Sequence, residues 1–133
     1  MKKHVHSKKY ENFIKGLLLS PSVNLGCGSF KIADVNIDVE GTVSPDIIWD
    51  LNKFPYPFRE KVYKSVLLHH SLEHLENPYK VLSECVRILQ DDGRIIIVVP
   101  SPQNPRYRME NHKQFFTRNS LKNLVSKYFS NVP

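Results

Sequence analysis

The run Arg94–Val99, RIIIVV, constrains the fold more than any other stretch of the chain. It is apolar without alternation, so a strand made from it needs cover on both faces, as in a parallel sheet clothed by helices. Four shorter β-type runs precede it, at Val23–Leu25, Asp34–Ile37, Ile47–Trp49 and Ser65–Leu68. Helical patterns stand among them. Residues 8–19, KKYENFIKGLLL, put Tyr10, Phe13, Ile14, Leu17 and Leu18 on one stripe, and Ser20-Pro21 stops that helix. Asn77-Pro78 is a helix start, with Val81, Leu82, Cys85, Val86 and Leu89 as the expected buried face. The DDG at Asp91–Gly93 is expected to end that helix and turn into the apolar strand. A last amphipathic helix is expected over 118–129, through Leu121, Leu124, Val125 and Tyr128. Strands alternating with helices predict an open α/β sheet.

The chain has 133 residues, which suits one domain: an N-terminal helical segment over 1–20 and an α/β core over 21–133. With 41% hydrophobic and 24% charged residues, disordered and fibrous classes are excluded. No apolar run approaches the roughly 20 residues of a membrane span. Lys2 and Lys3 lead into no signal-peptide pattern, and Cys27 and Cys85 are too few for a disulfide scaffold. A cytoplasmic setting is therefore expected, with no membrane partner. The net charge of +6 is uneven, at +4 over residues 1–20 and +5 over 102–133, which leaves −3 between. Basic ends could attract RNA. Two solvated helix faces are the plainer and weightier explanation.

The loop Asn24–Phe30, NLGCGSF, follows the first strand as a ligand-cradling turn would. Alone it suits a dinucleotide or another adenosyl cofactor equally well. Spacing discriminates. A dinucleotide site needs a helix N-terminus at the pyrophosphate and an acid about 20 residues on. Here the acid, Asp38, comes ten residues after Gly28, and eight residues separate Leu25 from Asp34, too few for a helical crossover. A cofactor without phosphates, such as S-adenosylmethionine, loses little by this. Asp38 at the end of a second strand can accept both ribose hydroxyls. Asp50, in IIWDL, can accept from an adenine amino group, with Leu51 as an apolar face for the ring.

The order NLGCG, VNID, DIIWDLNKFPYPF, SVLLHHSLEHL, RILQDDGRIIIVVP and HKQFFT resembles the class I S-adenosylmethionine-dependent methyltransferases, in their small-molecule branch. The resemblance runs from about Val23 to Tyr128. It implies a three-layer α/β sandwich around a mostly parallel sheet of order 3-2-1-4-5, and methyl transfer to a small-molecule acceptor. It places Gly26, Cys27 and Gly28 along the methionine and ribose of the cofactor, and Leu68 and His69 at its methionine end. The chain departs from the family in its shortened first crossover, in Ser29 or Phe30 where a third glycine is usual, and in stopping short of the last two strands. The open sheet edge this leaves predicts cover by the tail or by a second copy, with a homodimer favoured. Two alternatives accompany this reading. One is a degenerate fold that binds cofactor or a protein without catalysis, and the other is an RNA-directed enzyme.

His69, His70, Glu73 and His74 are the candidate catalytic residues, because imidazole can take a proton from a substrate hydroxyl near neutral pH. Equally, Glu73 and His74 could simply tie down the loop. The segment His70–His74, HSLEH, also matches a zinc-protease pattern, but Asn77-Pro78 ends it before a third ligand, so no metal is expected. His112, before FFT, either closes over substrate or lies on the surface. His4 and His6 are expected to be disordered. Cys27 reads as a packing residue rather than a nucleophile. Trp49, Phe54, Tyr56 and Phe58 could wall an adenine pocket, but packing in the core or a turn is the plainer reading except near Asp50.

Overall fold

The structure is a computed structural model that describes residues 6–104 and 112–133. Its centre is a five-stranded sheet of order β3-β2-β1-β4-β5, in which every neighbouring pair is parallel. The strands are β1 (Ser22–Leu25), β2 (Val35–Asp38), β3 (Ile47–Ile48), β4 (Tyr63–His69) and β5 (Leu89–Val98). The helices are α1 (Lys8–Leu17), α2 (Pro78–Ile88) and α3 (Arg118–Val125). The expected order 3-2-1-4-5 is therefore the observed one.

Each helix begins where the sequence supplies a cap. Ser7 accepts from the Tyr10 amide at 3.2 Å to open α1, and Asn77 accepts from the Lys80 amide at 3.1 Å, with Pro78 next, to open α2. Thr117 and Ser120 bond reciprocally to open α3. That helix is shorter than expected, ending at Val125, and the chain turns over 126–128 instead of continuing to 129.

The two faces of β4 serve different helices, because successive side chains point to opposite sides. On one face, Ser65 accepts from the Leu19 amide at 2.7 Å and His69 meets the Tyr10 hydroxyl, both through the α1 segment. On the other, Val66 and Leu68 join Val81, Leu82, Cys85 and Ile88 of α2 in one apolar cluster. Leu124 and Val125 of α3 complete that cluster. Layers on both faces of a parallel sheet follow.

Several expectations need correction. The apolar run of β5 is half-buried, because β5 forms one edge of the sheet; the strands buried on both faces are the central β1 and its neighbour β4. The DDG does not end a helix. It lies within β5, where the register runs Leu89↔Tyr63 and then Arg94↔Ser65, so five residue steps face two. A side chain at Gly93 would meet Leu89 at 2.9 Å and the Lys64 carbonyl at 3.0 Å, so glycine belongs in this bulge. On α1 and α2, Phe13 and Val86 point outward, 63% and 44% exposed. Their stripes are narrower than the periodicity suggested.

The first crossover contains no helix, as its length dictates. Polar side chains hold it instead: Asn24 donates to the Phe30 carbonyl at 2.7 Å, and the Ser22 amide and Asp34 carboxylate bond at 2.9 Å.

Candidate functional site

A cavity of about 610 Å³ opens where β1 and β4 diverge, outside the carboxyl ends of the strands. That is the switch point of an open parallel sheet, where backbone ends and loops converge on a ligand. Its floor is the glycine loop. The amides of Gly26 and Cys27 both donate to the Ile37 carbonyl, at 2.9 and 2.8 Å, which folds the loop back over β2. Gly26 has φ +84°, and a Cβ there would lie 2.7 Å from the Cβ of Ser71. Ser71 in turn donates to the Leu25 carbonyl at 2.8 Å, locking the loop after β4 against the loop after β1. Glycine is required at this crossing.

Asp38 ends β2 beside the loop. One carboxylate oxygen accepts from the Gly28 amide and the other from the Glu40 amide, each at 2.8 Å. A carboxylate has about four lone-pair sites, so two remain for a pair of ligand hydroxyls. Asp50 and Leu51 lie further along the same cavity, with Trp49 and Asn52. Asp50 accepts from the Asn52 amide at 2.9 Å, which fixes its turn. Leu51 is buried and takes the Tyr56 hydroxyl on its carbonyl at 2.9 Å. Cys27 lines the cavity too. Burial, with the nearby Asp38 charge, pushes its thiol up to about 11, so it is no nucleophile at neutral pH.

The opposite end of the cavity is built from rings. His69 is buried at the end of β4, with Nε2 2.8 Å from the Tyr10 hydroxyl. Phe30 stacks on His69 at 4.4 Å between ring centres, and His6 lies 5.0 Å from His69 and 4.8 Å from Tyr10. His6 is thus an ordered wall of the cavity, contrary to expectation; His4 lies outside the described residues. His70 follows with φ +51°, a left-handed conformation unusual for a residue with a Cβ. It turns the chain sharply, and its ring lines the cavity beside His69, 4.5 Å between centres. Leu68 is fully buried under this end, in the core rather than on the cavity wall.

Glu73 and His74 sit one turn on. His74 lines the cavity, whereas Glu73 is buried behind it. His112 is also buried, and its ring meets that of His74 at 4.7 Å. Of the four aromatic residues, Trp49, next to Asp50, reaches the cavity. Phe54 stacks on Tyr56 at 5.3 Å, and Phe58 meets Tyr63 edge-on at 5.1 Å. Sequence reasoning missed His6, Tyr10, Phe30 and Ser71. Tyr10 was legible only as a helix-stripe position, and nothing in the sequence tells which such position overhangs the sheet end.

Residues 44–97, from before β3 to within β5, match the family model described as a methyltransferase domain. The chain also superposes on solved methyltransferases. One, from Thermotoga maritima, is a SAM-dependent methyltransferase described as a possible histamine N-methyltransferase: TM-score 0.71, 17% identity, covering 89% of this chain and 68% of that one. Another is a SAM-dependent methyltransferase from Archaeoglobus fulgidus, with TM-score 0.69 and 19% identity over 91% of this chain and 64% of that one. The fold is that of the class I S-adenosylmethionine-dependent methyltransferases. A third neighbour, the [4+2]-cyclase SpnF, has TM-score 0.70 and 10% identity over 90% of this chain and 56% of that one. A search of curated proteins returned no match to this chain.

Proposed function

We propose that this chain transfers a methyl group from S-adenosylmethionine to a small-molecule acceptor. The observation that carries the reading is one continuous cavity with acceptor carboxylates at one end and imidazole rings and the Phe30 ring at the other. Asp38 would accept from the two ribose hydroxyls and Asp50 from the adenine amino group, with Leu51 and Trp49 as apolar walls. The close backbone at Gly26–Gly28 would admit the ribose and methionine, and His69 would lie at the methionine end above Leu68. The donor set fits a ligand without phosphates, since no helix N-terminus follows the glycine loop to hold one.

Bound there, S-adenosylmethionine supplies a methyl group already activated on a sulfonium. The chain's own contribution is then mostly positioning, and no dedicated base is obligatory. The Tyr10–His69 bond fixes the imidazole. His70, on the cavity wall, would accept the proton that an acceptor hydroxyl loses as its oxygen takes the methyl group. The two cysteines are both free and buried, which fits a reducing, cytoplasmic setting. Among the described residues no helix is long and apolar enough to cross a membrane.

A neighbour named a [4+2]-cyclase has this fold, and one fold can host unrelated chemistry, so a second reading stands beside the first: a methyltransferase-like fold that binds cofactor without moving a methyl group. Methyl-labelled cofactor incubated with a panel of small hydroxyl, amine and carbon-acid acceptors separates the two. Label on any acceptor supports transfer, and cofactor binding with no label on any supports the second reading.

A further inference from the structure

Glu73 is 2% exposed, and its Oε1 is buried with no hydrogen-bond partner. Its Oε2 lies 3.7 Å from His70 Nδ1, beyond hydrogen-bond distance. A carboxylate withdrawn from water in this way is costly, and buried charges in native proteins are paired or coordinate metals. Two imidazoles face it. One ligand atom from each of Glu73, His74 and His112 lies within 4.8 Å of the others. The backbone holds the third residue in place: the amides of Lys113 and Gln114, directly after His112, both donate to the Glu73 carbonyl, at 2.7 and 2.9 Å. The sequence pattern HSLEH paired His70 with His74 and lacked a third ligand. The fold supplies one from a distant loop and leaves His70 out of the set.

We propose that Glu73, His74 and His112 bind a first-row divalent cation, Zn²⁺ by preference, at the border of the cavity. Two imidazole nitrogens and a carboxylate are a donor set that suits zinc, and three protein ligands leave one position open. Ligand atoms around a tetrahedral zinc stand about 3.4 Å apart, so side-chain adjustments of about an ångström close the site. His74 lines the cavity as well, so the ion would adjoin the bound acceptor. An acceptor oxygen in the open position would be held there, and a hydroxyl would be made more acidic. That last role rests on the methyl-transfer reading. Binding of the ion does not.

The test is titration of the chelator-stripped chain with Zn²⁺, and with Co²⁺ as a spectroscopic stand-in. One ion per chain is expected, with the visible absorption of a low-coordinate Co²⁺ centre. Glu73→Gln keeps the side-chain shape, and His112→Ala removes a ring from a loop. Each should weaken Zn²⁺ binding by at least about 100-fold, more than loss of a supporting hydrogen bond to a ligand would. Circular dichroism checks that each variant is folded. His70→Ala should leave Zn²⁺ affinity unchanged. Absence of stoichiometric binding, binding that survives His112→Ala, or binding lost in His70→Ala would each overturn the site. Zn²⁺ binding without any affinity for S-adenosylmethionine would keep this site and remove the methyl-transfer reading; the converse would do the reverse.

Discussion

Asp38, at the end of β2, and Cys27, in the adjoining glycine loop, line the same cavity and carry opposite predictions. Asp38 accepts from two backbone amides and retains lone pairs toward the cavity. Asp38→Ala should therefore weaken S-adenosylmethionine binding by about 1–3 kcal/mol, the scale of a buried polar group left unpaired. Calorimetry reads this directly, and unchanged affinity would remove Asp38 from the site. Cys27 has its thiol pushed up to about 11 from 9.0, so its thiolate appears only well above neutral pH. Its thiolate population at pH 7 is about a hundredfold below that of an unperturbed thiol. Iodoacetamide should label Cys27 at least that much more slowly than an unstructured cysteine, as mass spectrometry can follow; labelling at the free rate would contradict the burial. The positions of these two residues were legible because strand ends and loop glycines have local signatures. The ring cluster of His6, Tyr10, Phe30 and His69 was not, because it forms only when residues far apart in the chain meet over the end of β4.

At the scale of elements, the segment after β3 is held by one ion pair on α2. Arg87 bonds Glu84 through Nε at 2.6 Å and Nη2 at 2.9 Å, and donates to the Phe58 and Tyr56 carbonyls at 2.7 and 3.2 Å. Glu84 also accepts from the Tyr56 amide at 2.6 Å. The Arg87 bonds hold the Glu84 carboxyl below the usual range, and the Glu84 bonds hold Arg87 above its own. A carboxyl lowered on folding stabilises the protein above its unfolded value, and that contribution disappears as pH falls through the folded value. Thermal melts should therefore show Arg87→Ala destabilised by about 1.5–3 kcal/mol at neutral pH. The difference from the unsubstituted chain should shrink as pH drops below about 4.5. A difference that persists undiminished at low pH would contradict the ion pair's part. The alternation of strands and helices was readable from hydrophobic period alone. The bulge at Asp91–Gly93 was not, since a DDG serves equally well as a helix stop and as extra residues within a strand. Which strand lies at the sheet edge was hidden too, because an apolar run does not reveal whether a neighbour pairs with it.

For the whole molecule, β5 is the edge that decides association. Among the described residues it has no strand on its outer side, and Phe129 and Val132 of the tail pack against the core nearby. We expect a second copy to cover this edge, so light scattering across a concentration series should show a dimer; a monomer at every concentration would mean the tail suffices. The basic ends give a separate expectation. If they serve RNA, affinity must fall steeply from low to physiological salt, and no binding at low salt would retire that alternative. The central claim, that the cavity is an S-adenosylmethionine site, is tested most directly by calorimetric titration with S-adenosylmethionine and, in parallel, NAD. The account predicts one-to-one binding of S-adenosylmethionine and none of NAD, because no helix N-terminus follows the glycine loop to receive a pyrophosphate. Binding of NAD, or of neither, would contradict it.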